Sequence, residues 1–226
     1  MVNGTPKIPN SLKYMENSLE DRLEAKFDEF ELVKTQRDSI NVYLELIRKR
    51  DEETWEHSVR VGLLGAEVAK FTHIIEPKGL FYPGLLHDVG KTLVNPASLK
   101  KKKDFGPKDM EELKKHVMYG YRMLRGIHSF SARVLLFHHY FQEKGYPRAI
   151  PSGEIDLSKG TDALILYCGR LLGLVDFYDA ASNRKNEKFT KGNSELPSHE
   201  KVKQTMLKVN SDQKYLIEQL YNKGIF

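Results

Sequence analysis

Apolar residues recur along most of the chain at intervals of three or four positions, and few segments alternate between apolar and polar residues. The first pattern is typical of amphipathic helices and the second of strands, so we predict an all-α protein. Asp38 and Ser39 offer a cap for the second helix, and Pro83 stands early in the predicted helix that leads to His87. The predicted helices are one whose inner face carries Leu19, Leu23, Phe27 and Phe30, one after Ser39, one from about Thr54 to Phe71, the one with Pro83, and those over about 107–125, 129–140, 161–183, 198–209 and 211–223.

Length and composition limit the class of protein. With 226 residues, 40% of them apolar, the chain suits one sizeable domain, and residues 1–16 are expected to form a loose tail. No apolar stretch reaches the roughly 20 residues of a membrane span, and Met1 to Asn10 lacks the core of a signal peptide. We therefore predict a cytosolic, cytoplasmic protein without a membrane partner. Cys168 is the single cysteine, which excludes a disulfide framework and a thiolate zinc site.

The charge of the chain is only mildly basic. The formal net charge is +5, and no basic stripe is interleaved with aromatic residues, so we do not expect polymeric nucleic acid as a partner. Lys100 to Lys103 form one basic run in a predicted loop. A solvated loop is its ordinary role, and a rim that attracts phosphate is the alternative.

The run from Leu85 to Lys91 carries the strongest chemical signal. His87 and Asp88 are adjacent after an apolar helix, and Lys91 follows within about one turn. An imidazole and a carboxylate can together hold a divalent metal, and a lysine can meet the anion that the metal activates. This dipeptide indicates a metal site more strongly because the predicted helices carry further imidazoles and a carboxylate. They are His57, His116, His138, His139 and Asp176.

The spacing of the other candidate ligands indicates which of them can meet. Glu53 and His57 are four positions apart, so they project from one face of a helix. His138 and His139 are adjacent, so on a helix they diverge by about 100°. Both can reach one cluster only if it holds more than one metal ion or if the helix ends there. Tyr140 and the residues after it favour such an end.

A third group of polar side chains lies on one stripe of the long helix predicted over residues 161–183. Asp176, Asp179 and Asn183 follow each other at spacings of three and four, and the rest of this helix is largely apolar. Buried carboxylates are costly unless they are paired or bound to a metal. A buried salt bridge to Arg60 or Arg170 is the alternative to a metal site.

The candidate ligands are imidazoles and carboxylates without sulfur, which suits Fe, Mn, Ni or Zn in a hydrolytic site. Two ions about 3.5–4 Å apart, bridged by a carboxylate and a water, would yield a hydroxide near neutral pH for in-line attack on phosphorus. Asp88 is the expected bridge. Lys91 is expected to neutralise charge on the non-bridging phosphate oxygens. These two residues carry the predicted catalysis.

The order of these residues resembles the HD superfamily of metal-dependent phosphohydrolases, and within it the HD-GYP group. The resemblance runs from about Asp51 to Lys185. It implies an HD-domain helical bundle over residues 51–226, preceded by a short helical extension over residues 1–50. The matching motifs are the first-histidine segment Asp51–Val61, the HD-x-G-K segment Leu85–Lys91, the H-x-x-x-G element His116–Gly120, the paired His138 and His139 with Gly145-Tyr146-Pro147, and the last metal-binding helix Gly169–Ala180.

The resemblance implies a centre of two or three divalent transition-metal ions, with Fe or Mn favoured and Zn or Ni as alternatives. Glu53 matches a position that is acidic in trimetal members of the group, so it is the expected ligand of a third ion. The implied activity is the hydrolysis of cyclic di-GMP to linear pGpG and further to GMP. The implied metal ligands are Glu53, His57, His87, Asp88, His116, His138, His139 and Asp176.

Two departures from the family pattern fall on the substrate side. Tyr140 stands where the family has a glutamate, the Asp-Gly before Gly-Tyr-Pro is absent, and the segment is one residue shorter. Glu143 is the nearest carboxylate that could replace the glutamate. Arg184 falls one residue earlier than the family's arginine. The predicted substrate contacts are Lys91, Lys144, Tyr146, Asp179 and Arg184.

The sequence thus leaves three functions open. The first is a phosphodiesterase that acts on a cyclic dinucleotide, and the second is a phosphohydrolase that acts on another nucleotide, as the altered segment 140–147 suggests. The third is a nucleotide-binding signalling module with low turnover. The two N-terminal helices are expected either to cap the helical core or to form a dimerising or docking element, so a homodimer is a candidate assembly.

Overall fold

A computed structural model of the protein describes residues 18–101, 104–151, 158–183 and 195–226. Within these ranges the chain forms ten α-helices and two 3₁₀ turns and no β-strand, so the predicted all-α class is confirmed. No helix in the described ranges has the length and hydropathy that a membrane span requires. The helices are α1 (Leu19–Glu29), α2 (Lys34–Arg50), α3 (Glu52–Thr72), α4 (Lys78–Leu86), α5 (Pro96–Leu99), α6 (Pro107–Leu124), α7 (Ser129–Leu135), α8 (Lys159–Asn183), α9 (His199–Val209) and α10 (Lys214–Asn222). The 3₁₀ turns are Val89–Leu93 and Ser211–Gln213.

The start of α2 differs from the prediction. The helix begins at Lys34, so Asp38 and Ser39 lie inside it and do not cap it. At its start the side chain of Gln36 accepts a hydrogen bond from the backbone N–H of Val33, at 3.2 Å. The helix starts about one turn earlier than predicted, because the carbonyl oxygen of Val33 already accepts its first hydrogen bonds, from the N–H groups of Gln36 and Arg37.

The ends of α4 and α7 also differ from the prediction. Pro83 lies in the second half of α4, because α4 already begins at Lys78. A proline inside a helix removes one backbone hydrogen bond. Leu80 and Leu85 of the same helix are fully buried, and this apolar burial holds α4 in place. α7 ends at Leu135, five residues before the end predicted at residue 140.

α3 lies at the centre of the fold. One of its faces contributes Val59 to an apolar cluster that is shared with α1, α2, α4, α6 and α7. Another face contributes Val61 and Val68 to a second cluster, which is shared with α8, α9 and α10. Because α3 is covered on both sides, it carries His57 into the interior, where the side chain has no exposed surface.

α1 and α2 belong to the same core as the helices that follow residue 51. The ring of Phe27 contacts that of Phe81 edge to face, with the ring centroids 5.9 Å apart. Ile40 and Leu44 of α2 are buried in the same cluster. This packing agrees with the expected capping role of the two helices. The domain boundary at residue 50 stays a prediction.

Candidate metal centre

Six side chains with metal-binding chemistry form two neighbouring groups in the interior. Within each group the candidate ligand atoms all lie within 4.8 Å of one another. Five of the six residues are buried, and His139 is partly exposed. The first triad consists of His57, His87 and Asp88, and the second triad consists of His116, His138 and His139.

The helices bring these residues together from distant parts of the chain. His57 lies in the first half of α3, and His87 and Asp88 lie between the end of α4 and the 3₁₀ turn Val89–Leu93. His116 lies in the middle of α6. The first triad therefore depends on the packing of α3 against α4, and the second on the packing of α6 against the segment after α7.

The two adjacent histidines lie in the turn that follows α7. Their ring centroids are 3.9 Å apart, whereas neighbouring side chains on a continuous helix would diverge by about 100°. The helix ends before His138, as the residues after the pair suggested, and both rings face the same site. The early end of α7 at Leu135 is thus what allows both imidazoles to join the second triad.

Two glycines permit the close approach of the elements that carry the ligands. A Cβ atom on Gly90 would lie 1.9 Å from the carbonyl oxygen of His116, and one on Gly173 would lie 2.4 Å from the carbonyl oxygen of His138. Neither position can hold a side chain without a shift of the backbone. Gly90 therefore allows the segment after Asp88 to pack on α6, and Gly173 allows α8 to pack on the turn after α7.

Asp88 lies between the two triads and faces both. Its Oδ2 atom is 3.4 Å from Nε2 of His87 and 3.8 Å from Nε2 of His57. Its Oδ1 atom is 3.5 Å from Nε2 of His116. The carboxylate therefore divides its two oxygens between the triads, as a bridging ligand would.

Asp176 of α8 also lies near histidines of both triads. Its Oδ1 atom is 3.1 Å from Nε2 of His57 and 3.8 Å from Nε2 of His87. Its Oδ2 atom is 3.9 Å from Nδ1 of His139. The structure thus brings together seven of the eight predicted metal ligands, and two carboxylates join the two groups.

Three of the imidazoles are oriented by backbone carbonyl groups. In each, the Nδ1–H group donates to the carbonyl oxygen of the residue three positions earlier, which leaves Nε2 directed at the centre. For His87 this Nε2 atom is buried and has no hydrogen-bond partner among the described residues. A buried, unpartnered nitrogen among carboxylate oxygens is what a metal site requires, so the residues fit a divalent ion. The three bonds are His87 to Gly84 at 2.8 Å, His116 to Leu113 at 2.7 Å and His138 to Leu135 at 2.5 Å.

His57 is oriented by a carboxylate. Its Nδ1–H group donates to Oδ2 of Asp179 at 2.6 Å, and Nε of Arg60 donates to Oδ1 of Asp179 at 2.7 Å. Asp179 is only 2% exposed, and its predicted contact with substrate stays a prediction. The spacing identified the face that Asp179 shares with Asp176, but it did not reveal that the partner of Asp179 would be a histidine. The alternative of a salt bridge to Arg60 is correct for Asp179.

Burial and neighbouring charges set the protonation of the centre. Burial lowers the pKa of His116 to about 4 and that of His138 to about 3. Burial alone would raise the pKa of the Asp88 carboxyl, but Lys91 and His87 outweigh it and hold this pKa well below its usual range. The second triad therefore offers neutral imidazoles and Asp88 offers an ionised carboxylate at neutral pH, which are the forms that bind metals.

The pKa values of His87 and Asp176 shift in the direction of an ion pair. Burial acts to lower the pKa of His87, but Asp88 and Asp176 outweigh it and raise this pKa above its usual value. Burial acts to raise the pKa of the Asp176 carboxyl, and the hydrogen bond from His57 together with nearby imidazoles holds it well below its usual range. Both carboxylates are thus ionised in the interior, where they need cationic partners.

The residues predicted on the substrate side lie in different surroundings. Lys91 is buried, and its Nζ atom donates to Oδ2 of Asp88 at 2.5 Å. The ring of Tyr146 lies beside that of His139, with the centroids 4.6 Å apart, and Nζ of Lys114 lies 5.8 Å from the Tyr146 ring centroid. The sequence interpretation did not include Lys114, because only the fold shows that it reaches this ring.

Two further predicted residues are not part of either triad, and a third cannot be placed. Glu53 is exposed near the start of α3, and it is not in either group of candidate ligands among the described residues. Lys144 is exposed in the turn before Tyr146. Arg184 lies outside the described residues. Tyr140, which replaces the family's glutamate, packs its ring against Phe137 and is partly exposed.

Comparison with known proteins identifies the family to which this site belongs. The HD domain family matches residues 54–166, which include His57, the His87-Asp88 pair, His116, His138 and His139. The match covers half of the chain, so the protein belongs to the HD domain family.

Two curated relatives are consistent with this assignment. A cyclic di-GMP phosphodiesterase of Thermotoga maritima is 29% identical over 143 residues, which is 60% of this chain and 36% of that protein. A cyclic di-GMP phosphodiesterase of Pseudomonas aeruginosa is 30% identical over 151 residues, which is 63% of this chain and 34% of that protein. The chain thus spans about a third of the length of each of these relatives. The resemblance to the HD superfamily is confirmed, and the narrower resemblance to the HD-GYP group stays a prediction.

Proposed function

We propose that this protein is a metal-dependent phosphodiesterase that hydrolyses a cyclic dinucleotide, with cyclic di-GMP as the first candidate substrate. The observation that supports it best is the pair of neighbouring triads, which Asp88 and Asp176 join through different oxygen atoms. Two neighbouring metal sites with shared carboxylates are typical of enzymes that displace a group at phosphorus. The names of the two relatives point to the same substrate.

Each side chain has a role in this proposal. Divalent ions held by the triads would supply Lewis-acid activation of water and of a phosphoryl oxygen. Asp88 and Asp176 hold both triads at a fixed separation, and Lys91 balances the charge of Asp88 and neutralises a non-bridging phosphate oxygen. Tyr146 offers a ring on which a nucleobase can stack, next to the cationic Lys114. The attacking group comes from solvent, so no side chain is assigned as a nucleophile.

The proposed cofactors are two divalent transition-metal ions, with Fe or Mn favoured over Zn or Ni. The imidazole and carboxylate ligands suit all four metals. A third ion at Glu53 is a further part of the proposal. It is tested by elemental analysis of the wild-type protein and of Glu53→Gln, which should contain one equivalent less if Glu53 holds a third ion and an equal amount if it does not.

The direct test is an incubation of the metal-loaded protein with a panel of nucleotides. We expect linear pGpG from cyclic di-GMP, followed by GMP, and we expect Asp88→Asn to yield neither product. Cleavage of another nucleotide together with intact cyclic di-GMP would contradict the proposed substrate but not the proposed chemistry.

A second candidate function follows from the segment around Tyr140. This residue replaces a family glutamate, and its ring packs against Phe137 and Phe141. The segment expected to contact the substrate differs from the family pattern, whereas the metal ligands do not. This difference favours a phosphohydrolase that acts on another nucleotide. The same panel separates the two candidates, and a protein that binds cyclic di-GMP without cleaving it would favour the signalling module with low turnover.

The assembly of the protein also belongs to the proposal. α2 leaves Val42 and Leu46 exposed on its outer face, while its inner face packs in the core. A homodimer through this helix is tested by sedimentation equilibrium of the wild-type protein and of Val42→Glu. A monomer at all concentrations would contradict it. The cytosolic location stays a prediction from the sequence.

A further inference from the structure

The histidines of the centre differ in the group that orients them. His87, His116 and His138 each donate Nδ1–H to a backbone carbonyl oxygen. His57 donates Nδ1–H to a carboxylate oxygen, that of Asp179, at 2.6 Å. A charged acceptor forms a stronger hydrogen bond than a neutral one, and it makes the imidazole a stronger donor to a metal. The first triad therefore contains a histidine with a distinct kind of support.

Asp179 is itself held from several sides. Nε of Arg60 donates to Oδ1 at 2.7 Å, and a second guanidinium nitrogen donates to Oδ2 at 3.1 Å. The side-chain amide of Asn183 donates to Oδ1 at 2.9 Å. With His57 on Oδ2, both oxygens of a carboxylate that is almost fully buried are occupied. The carboxylate cannot turn away from His57 without breaking bonds to α3 and α8.

Among the described residues, no carboxylate supports a histidine of the second triad by such a hydrogen bond. Nδ1 of His139 lies 2.8 Å from the side-chain amide of Gln142, which belongs to the same turn. His139 is also the most exposed of the six triad residues, with 15% of its side-chain surface accessible. His138 and His139 both lie beyond the end of α7, whereas His57 lies inside a helix of 21 residues. The second triad is thus attached to a less regular part of the chain.

We infer that Asp179 and Arg60 are positioning residues that hold His57 toward the centre and make the first triad the tighter of two unequal metal sites. This inference rests on the metal centre of the proposed function, and it concerns the binding of ions, not the nucleotide. The inference assigns neither Asp179 nor Arg60 a contact with the substrate. Arg60 acts through Asp179, and Asp179 acts through His57.

The experiment is a calorimetric titration of the metal-free protein with manganese chloride. We expect two binding steps of different affinity in the wild type, of which His87→Ala removes the tighter step and His138→Ala the weaker one. Asp179→Asn should weaken the tighter step by about 10- to 100-fold and leave the weaker step within about twofold. Arg60→Gln leaves the bond between Asp179 and His57 in place, so we expect a smaller loss, of less than about tenfold, at the same step.

A matched control separates positioning from general damage. Arg170 and Asp212 form a second arginine–aspartate pair, with Nε to Oδ2 at 3.0 Å, in the C-terminal part of the fold. Neither residue belongs to a triad, and among the described residues neither contacts a residue of a triad. Asp212→Asn weakens an arginine–aspartate pair in which the carboxylate is exposed, and we expect it to leave both binding steps unchanged.

A spectroscopic measurement provides a readout that a purely structural role would not move. In zinc-loaded, ¹⁵N-histidine-labelled protein, we expect a downfield Nδ1–H signal of His57 that disappears in His57→Gln. This signal should move upfield in Asp179→Asn and stay in place in Asp212→Asn. If Asp179→Asn does not fold, Arg60→Gln decides by the same two measurements.

The inference is wrong if Asp179→Asn binds manganese at both steps like the wild type, or if it weakens both steps equally. It is also wrong if the His138→Ala variant, and not His87→Ala, loses the tighter step. A failure of the proposed function looks different. In that case the two unequal steps and their response to Asp179→Asn are present, but no nucleotide is hydrolysed.

Discussion

The two triads have the same number of ligands but lie in different parts of the fold. The first triad is carried by α3 and the end of α4, all three of its residues are buried, and a carboxylate supports one of its histidines. The second is carried by α6 and by the turn after α7, and it borders the ring of Tyr146. The difference suggests that the first triad secures the metal, while the second connects the metal to the variable loops that select the substrate.

The largest expected effect comes from the residue that faces both triads. Asp88→Ala removes the carboxylate that divides its oxygens between them, so we expect the loss of metal from both sites and a fall in activity of more than about 1000-fold. Elemental analysis and product assays measure both changes. Asp212→Ala, which removes a carboxylate outside both triads, is the control and should retain full metal content. Retention of one equivalent in Asp88→Ala would show that the triads are independent.

The next effect distinguishes the triads from each other. His87→Ala and His138→Ala each remove one imidazole from one triad, so each should lower the metal content by about one equivalent per chain. If the first triad secures the metal, His87→Ala should also abolish most of the thermal stabilisation that manganese gives the wild type. His138→Ala should keep most of it, as measured by melting temperature with and without manganese. A larger loss of this stabilisation in His138→Ala than in His87→Ala would mean that the second triad, and not the first, secures the metal.

A smaller effect is expected for Lys91. Its ammonium group lies on the Asp88 oxygen that faces the first triad. Lys91→Gln removes the charge near the phosphate, so we expect kcat to fall by about 100- to 1000-fold with little change in bound metal. Lys101→Gln changes a lysine that pairs with Asp109 elsewhere, and it serves as the control. A parallel loss of metal in Lys91→Gln would assign the lysine to the centre's stability and not to the reaction.

The smallest effect concerns the substrate side next to the second triad. Tyr146→Ala removes the ring beside His139, so we expect KM for the nucleotide to rise by about tenfold while kcat falls less. Tyr146→Phe keeps the ring and should behave like the wild type. Steady-state kinetics of the two variants test this. Equal losses in both would assign the effect to the hydroxyl group, and a loss confined to kcat would contradict a binding role.

The sequence predicted the architecture and the set of side chains well, because both depend on local rules. Helical periodicity identifies the long helices α3, α6 and α8, whose apolar faces must be buried. The order of histidines and aspartates identified the side chains that the fold brings together. Their roles as ligands stay predictions that the variants above test.

The partners of individual side chains were harder to predict, because they depend on contacts between distant helices. Asp179 and His57 are 122 positions apart, and no spacing rule indicates that they meet. The role of Arg60 had a weak signal, since it follows His57 by three positions on the same helix. The start of α2 was mispredicted for a local reason, because the helical hydrogen bonds already begin at the carbonyl oxygen of Val33, before Asp38.

The central claim is that the two triads form one centre for two metal ions, joined by Asp88 and Asp176. Anomalous diffraction from crystals of the manganese-loaded protein tests it most directly. We expect one anomalous peak in each triad, the first bounded by His57, His87 and Asp88 and the second by His116, His138 and His139, with a carboxylate oxygen of Asp88 at each. A single peak, or two peaks that share no carboxylate, would contradict it.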